Sequence, residues 1–415
     1  MIEITTFLFV EYLKRRDMNK NRIKLLGNCL LIGLLIGTSN LYAQQTPDEI
    51  AGKDVSKNYI STSVPILLIA PDARSGGMGD VGVASTPDAY SSHWNSAKYA
   101  FIEDDFGMGM SYVPWLRKLG AADMNLLNLT GFKRINDRSA VAASLTYFSL
   151  GSIEFTDIDG TSKGTYKPNE FGMDISYSMK LSENLSIGAT GRYVRSDLTQ
   201  GVDVGTSTTK AGNAIAADLG MYYQSETNMF DMPGELAAGL FISNLGSKIS
   251  YSDDDNEKDF LPANLRLGGR YTMDIDDYNS FSFMLDFNKL LVPTPPLYDE
   301  EGNIIAGMDN NIGTMLGAIR SFYDSPNGFS EELQELQISA GVEYWYDKVF
   351  AVRGGYFFEH ENKGGRQYLT LGGSVKYQTL VLDISYLIPT TTLQTSPLAN
   401  TVRISLAMNF DPKKK

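Results

Sequence analysis

From about Phe106 to the end of the chain, apolar and polar residues alternate with a period of two. In Phe171, Met173, Ile175, Tyr177, Met179 and Leu181 every second residue is apolar, and Gly172, Asp174, Ser176, Ser178 and Lys180 fill the gaps. Successive side chains of a strand point to opposite faces, so one face of such a run meets an apolar environment and the other a polar one. The pattern recurs over Leu265–Ile275, Leu369–Tyr377 and Val402–Phe410. Counting such runs predicts about fourteen strands, at 106–117, 124–136, 139–150, 170–181, 184–197, 212–224, 235–244, 264–275, 280–291, 337–346, 349–358, 366–377, 379–388 and 400–410. Their length suits a tilted strand crossing a bilayer, which takes ~9–11 residues.

A soluble β-sandwich also alternates, and the connections separate the two architectures. Those after even-numbered strands are mostly tight, as at Asn136-Asp137-Arg138, Ser182-Glu183, Asp347-Lys348 and Gln378-Thr379. Those after odd-numbered strands include the long stretches 151–169, 198–211, 245–263, 292–336 and 389–399. Short turns on one rim and long loops on the other mark an outer-membrane barrel, with the short turns in the periplasm. The expected fold is therefore all-β, a roughly 14-stranded transmembrane barrel over 106–415 with its long loops extracellular. Aromatic residues near strand ends, Tyr112 and Trp115, Tyr344 to Tyr346 and Tyr356 to Phe358, fit interfacial girdles or ordinary sheet positions.

The chain ahead of the barrel divides in two. Met18 to Ala43 reads as a secretory signal: Lys20, Arg22 and Lys24 precede an apolar run from Leu25 to Ile36, and Leu41-Tyr42-Ala43 offers a cleavage site. The first 17 residues read as an upstream extension. Cys29 lies inside the apolar run behind Asn28, which disfavours lipidation. Residues 44–105 have another character, with an apolar stretch from Ile60 to Ala70 and then the glycine-rich Pro71 to Gly79. Such backbone turns sharply or presses against another surface, so the segment is expected to fold into the barrel mouth as a plug. No stretch after Ala43 approaches the ~20 consecutive apolar residues of a membrane helix, so membrane residence requires a closed barrel.

Composition narrows the chemistry. Of 415 residues, 49 are acidic and 36 basic, giving a formal charge of −13, and removal of residues 1–43 leaves −16. That balance repels phosphate backbones and argues against nucleic acid. One Cys and two His residues leave no Cys/His metal cage, no disulfide framework and few general bases, so no catalytic residue, metal or cofactor is expected. The run Ser252 to Asp259 lacks the ordered ligand spacing of a calcium loop and reads as a hydrated loop. Gly76, Gly77, Met78 and Gly79 lack the Lys-Ser/Thr of a phosphate loop. His93 and His360 are far apart in sequence, and neither neighbourhood resembles a hydrolase triad.

Several motifs resemble a known family. Ala70 to Asp80, followed by His93-Trp94-Asn95-Ser96-Ala97, is similar to the plug region of fatty-acid-transporter-like barrels, with Asn95-Ser96-Ala97 where those have Asn-Pro-Ala. Leu261 to Gly268 is similar to their mid-barrel strand entry. Gly317 to Leu336, Gly341 to Tyr346 and Pro397 to Arg403 resemble, more specifically, the PorV family of the type IX secretion system. The resemblance covers essentially the whole mature chain. It implies a non-enzymatic outer-membrane shuttle that takes cargo by its C-terminal signal domain as it leaves the translocon. Delivery would be to a cell-surface attachment complex, where a sortase-like partner joins the cargo to lipopolysaccharide. The alternative within the fold is a channel for hydrophobic small molecules.

Two groups of residues follow as candidate sites. In the connection 292–336, Ile312, Met315, Leu316, Ile319, Phe322 and Tyr323 recur at roughly helical spacing. They either meet a partner or cargo, or fold over the barrel's own mouth. In the plug, Asp72, Arg74, Gly76, Gly77, Gly79 and Asn95 are the candidates, with Arg74 either pairing with Asp72 or facing water. The register is also testable: arginine at Ile175 should cost roughly 2–4 kcal/mol at mid-bilayer, and arginine at Ser176 far less in a polar lumen.

Overall fold

The computed structural model describes residues 49–50, 53–54, 57–115, 123–157, 159–202, 209–229, 232–252, 258–390 and 401–410. The expected signal at 18–43, the core of the acidic run at 253–257 and most of the connection 389–399 lie outside the described residues. The chain forms two units, Met1–Val55 and Ser56–Lys415. In the first, Glu49–Ile50 pairs with Lys53–Asp54. The second holds everything that follows.

Fourteen antiparallel strands close into a barrel. They are β1 (Phe106–Pro114), β2 (Asn125–Asn136), β3 (Ser139–Ser149), β4 (Asn169–Lys180), β5 (Leu185–Asp197), β6 (Gly212–Met229) and β7 (Met232–Gly246). The circuit continues with β8 (Asn264–Asp274), β9 (Asn279–Leu290), β10 (Gln337–Tyr346), β11 (Phe350–Phe358), β12 (Gln367–Tyr377), β13 (Leu380–Pro389) and β14 (Val402–Phe410). Each strand pairs with the next, and β14 returns to β1 through Phe410↔Phe106 and Ile404↔Tyr112. All fourteen fall on the predicted runs. Only β6 and β7 are markedly longer than the alternation indicates, because their hairpin continues past its neighbours at the short-turn rim.

The barrel is inside-out relative to a soluble protein. Ile175 is 73% exposed, Ile215 71% and Val352 65%, while Asp218, Asp286 and Arg353 are buried. Such an apolar outer surface is stable only against lipid, and closure satisfies the backbone groups that lipid cannot. Buried charge inside is paired. Arg192 bridges Asp174 at 2.6 Å and Asp218 at 2.9 Å, and Arg353 bridges Glu343 at 2.6 Å and Asp383 at 2.7 Å.

The strand-end aromatics separate by parity. Tyr346, Phe350, Tyr377, Phe106 and Phe410 are outward at the short-turn rim, with Phe106 stacked on Phe410. Trp115, Trp345 and Phe357 instead point inward. Trp115 packs edge-on to Phe148, Trp345 lines an internal cavity, and Phe357 stacks on Tyr368. For these three the girdle reading is replaced by packing within the barrel, because they sit on the face of Val113, Glu343 and Gly355.

Residues 57–105 run among the inward-facing side chains. Ser63 N–H donates to Phe260 O in a long connection, and Asp105 N–H donates to Phe410 O at the other rim. Between these ends, Ala73 N–H bonds Ser405 Oγ, Gly79 N–H bonds Thr370 Oγ1, and Gly82 and Val83 N–H share Asp286 Oδ2. Ser111, Thr130 and Ser186 hydroxyls donate to Pro71, Ala89 and Ala97 carbonyls. Wall and segment touch so closely that a Cβ at Gly355 would lie 2.0 Å from Met78 C, and one at Gly188 2.5 Å from Ala97 N. Only glycine fits there.

Candidate functional site

The connection 291–336 is the longest on the long-loop rim, and its two ends lie on the barrel. Leu291 and Val292 are buried with Ala263 and Ala318, against Phe260 and Leu265. The chain then makes a small ladder, Leu297–Tyr298 with Ile304–Ala306, and two short helices, Thr314–Arg320 and Phe329–Gln334. The first helix turns its smallest residues inward. A Cβ at Gly317 would stand 3.0 Å from Pro293 Cγ and 3.1 Å from Phe260 Cε1, so a larger residue would lift the helix. Its large residues therefore face away from the barrel: Met315 is 64% exposed and Ile319 59%, with Leu316, Phe322 and Tyr323 also exposed and Ile312 half-buried. Five of the six residues selected from the sequence are thus exposed, and Ile312 alone is half-buried.

Sequence reasoning missed the second helix. Phe329, the most exposed at 75%, and Leu333 are further large apolar residues displayed by this connection. On the opposite side Glu331, Glu332 and Glu335 are buried and hold the helix to the barrel. Lys289 Nζ at the end of β9 reaches Glu332 at 2.9 Å and Glu335 at 2.5 Å. Lys363 in the connection 359–366 reaches Glu331 at 2.5 Å and Glu335 at 3.0 Å. Thr294 and Ser325 hydroxyls donate to Glu335 Oε1, and Asn58 donates to Glu331. The spacing of three glutamates one and three residues apart, interleaved with Phe329 and Leu333, was the available signal: an amphipathic helix with its charged side inward.

Charge in this clamp is unequal, with four carboxylates around two lysines. Burial alone would raise Glu335, yet Lys289, with hydrogen bonds from Lys289 and Thr294, holds it below the usual range. Asp324 is the outlier. Burial, and then the neighbouring Glu332 carboxylate, push it up to about 6, and its Oδ1 has no partner among the described residues.

The six residues selected around the inner segment each meet the barrel wall or the segment's own turns. Asp72 caps the turn Ala73–Gly76, accepting from Ser75 N–H at 2.8 Å and Trp94 Nε1 at 2.6 Å. Arg74 does not pair with Asp72, which takes Ser75 and Trp94 as donors; its guanidinium spans Asp88 at 2.8 Å and Glu343 at 2.9 Å. Gly76 leaves room for the Arg403 side chain, Gly77 meets the Gly372 backbone, and Gly79, at φ 71°, abuts Tyr356. Asn95 accepts from Ala97 N–H and donates to Val83 O and to Met221 O in β6. Ser96 opens the turn Ser96–Phe101 behind this cap, a position that proline also suits.

A cavity of about 400 Å³ lies at the short-turn end, lined among others by Arg74, Asp88, Glu343, Arg353, Asp383 and Trp345. His93, half-buried and edge-on to Trp94, and His360, whose Nδ1 accepts from Asn362 N–H, occupy separate structural settings.

The model of the family described as "Type IX secretion system protein PorV" matches residues 52–297, more than half the chain. The chain belongs to the PorV family. The match takes in the inner segment and β1 to β9 and ends where the displayed connection begins. No curated protein matches the sequence. Among solved structures, the CymD monoaromatic hydrocarbon channel is 14% identical with a TM-score of 0.48, covering 83% of this chain and 98% of that one. The toluene transporter TbuX of Ralstonia pickettii is 14% identical with a TM-score of 0.43, covering 82% and 98%. A FadL homologue of Pseudomonas aeruginosa is 11% identical with a TM-score of 0.41, covering 85% and 100%. As a PorV-family barrel with an apolar outer band, the protein is a type IX secretion component of the outer membrane.

Proposed function

We propose that the protein is a non-catalytic shuttle: its long-loop rim faces the cell exterior and binds the C-terminal signal domain of cargo leaving the type IX translocon. The cargo is then passed to the cell-surface attachment complex with its sortase-like enzyme. The observation that carries this reading is the exposure of Met315, Leu316, Ile319, Phe322, Tyr323, Phe329 and Leu333 along one long connection, whose second helix is anchored by a buried ionic clamp. Large apolar side chains held exposed at a rim are suited to meeting another protein. The inner segment, bonded around the barrel wall, would act as a plug that keeps the membrane sealed while the rim works.

A conduit for hydrophobic small molecules calls for a continuous apolar cavity. The 400 Å³ cavity mixes guanidinium and carboxylate groups with apolar side chains such as Phe101, Ile102 and Trp345, and buried charge of this kind in the lining favours the binding role. The test replaces Met315, Ile319 and Phe322 with Ser and measures capture of a purified cargo signal domain, with heat-modifiability of the barrel as the folding control. At about 1 kcal/mol or more for each centrally placed residue, affinity should fall about 100-fold. Retained capture by an intact barrel would remove the proposal.

A further inference from the structure

The β6–β7 hairpin projects from the short-turn rim. The β5–β6 ladder stops at Leu185↔Tyr223, with one more bond from Gln224 N–H to Asn184 O at 2.9 Å. Ser225–Met229 pair with β7 alone, from Ser225↔Leu236 to Met229↔Met232. Along their other side, among the described residues, no strand takes up the backbone N–H and C=O groups. Such an edge is a template for one more strand.

The edge stands beside the 400 Å³ cavity, whose lining includes Gln224 and Glu235 from this hairpin. Six carboxylates and four cationic groups line the cavity, so it is acidic on balance. The deeper groups neutralise one another through the Arg74 and Arg353 pairs. At the margin, Glu103 is exposed, and Asn409 Oδ1 is a buried acceptor with no donor among the described residues. Glu226 lies directly opposite Glu235 across the hairpin, a like-charge pairing that is unfavourable unless a cation intervenes. Arg270 bonds Glu235, and no described residue bonds the Glu226 carboxylate.

We propose that this rim docks an extended basic segment of a partner protein, which adds as a strand to Ser225–Met229 and sets lysine or arginine side chains over Glu226 and Glu103. Alternate side chains of the added strand fall on the cavity side, about 6.6 Å apart, so every second residue of the segment is cationic. A mouth of this volume accommodates such side chains. The proposal rests on the preceding reading only for the compartment, which would be the periplasm, and it stands or fails independently of cargo capture at the opposite rim.

The test uses the full chain in nanodiscs of neutral phosphatidylcholine and follows fluorescence anisotropy of labelled ten-residue peptides. One alternates lysine with threonine, a second alternates glutamate with threonine, and a third has proline in place of threonine and cannot extend a ladder. Only the first should bind. The exposed changes Glu103→Gln and Glu226→Gln should each weaken it by up to about fivefold and leave heat-modifiability intact. Equal binding of the glutamate or proline peptide, or unchanged affinity in the double variant, would overturn the proposal. The sequence beyond Phe410 carries Lys413, Lys414 and Lys415. Binding that emerges only when all three are replaced by Ser would assign the site to the chain's own end and overturn a partner as its occupant.

Discussion

Two isoleucines on the outer face carry almost the same exposure, Ile175 at 73% and Ile215 at 71%. If water surrounded both, arginine would cost the same at each. Their positions along the barrel differ. Ile175 has outward Phe171 and Met173 on one side and Tyr177 and Met179 on the other, and it stands between Ala143 and Gly191 on the adjacent strands. Ile215 follows outward Asn213, which accepts from Tyr193 Oη at 2.7 Å, so it begins the apolar band at the long-loop rim. In a bilayer, arginine costs roughly 2–4 kcal/mol at the midplane and about 0–1 kcal/mol near the interface, where the guanidinium snorkels out. Ile175→Arg should therefore lower the folding equilibrium about 30- to 1,000-fold, and Ile215→Arg less than about tenfold. Urea unfolding in lipid vesicles, followed by the emission of the three tryptophans and by heat-modifiability, measures both. Equal losses would refute a membrane-spanning band at this register. Ser176→Arg, expected from alternation to be mild, is a poor comparison. Ser176 is buried and hydrogen-bonded to Thr190 at 2.9 Å in a filled lumen, where added volume and charge are themselves costly. Ser280→Arg, which opens onto the short-turn cavity, is the better inward control.

Gly79→Ala would place a methyl 2.6 Å from Tyr356 N in a left-handed backbone and should displace the inner segment at a cost of about 1–3 kcal/mol. Hydrogen exchange over residues 70–100 should rise while the strands stay protected; unchanged exchange would contradict the close approach. Asp324, with its pKa raised from 3.8 to about 6, binds its proton more tightly in the docked connection than when released, so docking weakens as pH rises through that window and levels off above it. Asp324→Asn should thus protect residues 297–336 from proteolysis at pH 7.5 by about 1–3 kcal/mol relative to the native chain, and the gain should shrink towards pH 4. An equal gain at both pH values would show that ionisation is not its origin.

The barrel was legible because its rule is local. A period of two and alternating connection lengths fix strand number, rims and facing without knowledge of any long-range contact. What escaped was set by partners distant in sequence. Nothing near Arg74 indicates Glu343, since the inner segment had to be threaded through the barrel before the two could meet. The inward Trp115 and Phe357 obey the same parity as their neighbours, but clustering by residue type obscured it. In the connection 291–336 the apolar series was visible and its direction was not. Gly317 and Ala318, easily passed over as small, are what turns the large residues outward.

The filled lumen bears on where the protein can work. Opening it for a solute would break the bonds that Ser111, Thr130, Ser186, Asp286, Thr370, Ser405 and Met221 make with the inner segment. At about 1 kcal/mol net for each of these eight hydrogen bonds, the loss is about 8 kcal/mol, the whole binding free energy of a micromolar ligand. The Arg74–Glu343 pair and the backbone packing at Gly188 and Gly355 add to that. A small apolar molecule has no differential contacts of this size to offer, and a ligand shifts an equilibrium only by its preference for one state. A protein-sized interface does. The energetic argument therefore favours the two rims, where exposed apolar helix residues on one side and, among the described residues, an unpaired strand edge on the other lie outside this hydrogen-bonded interior.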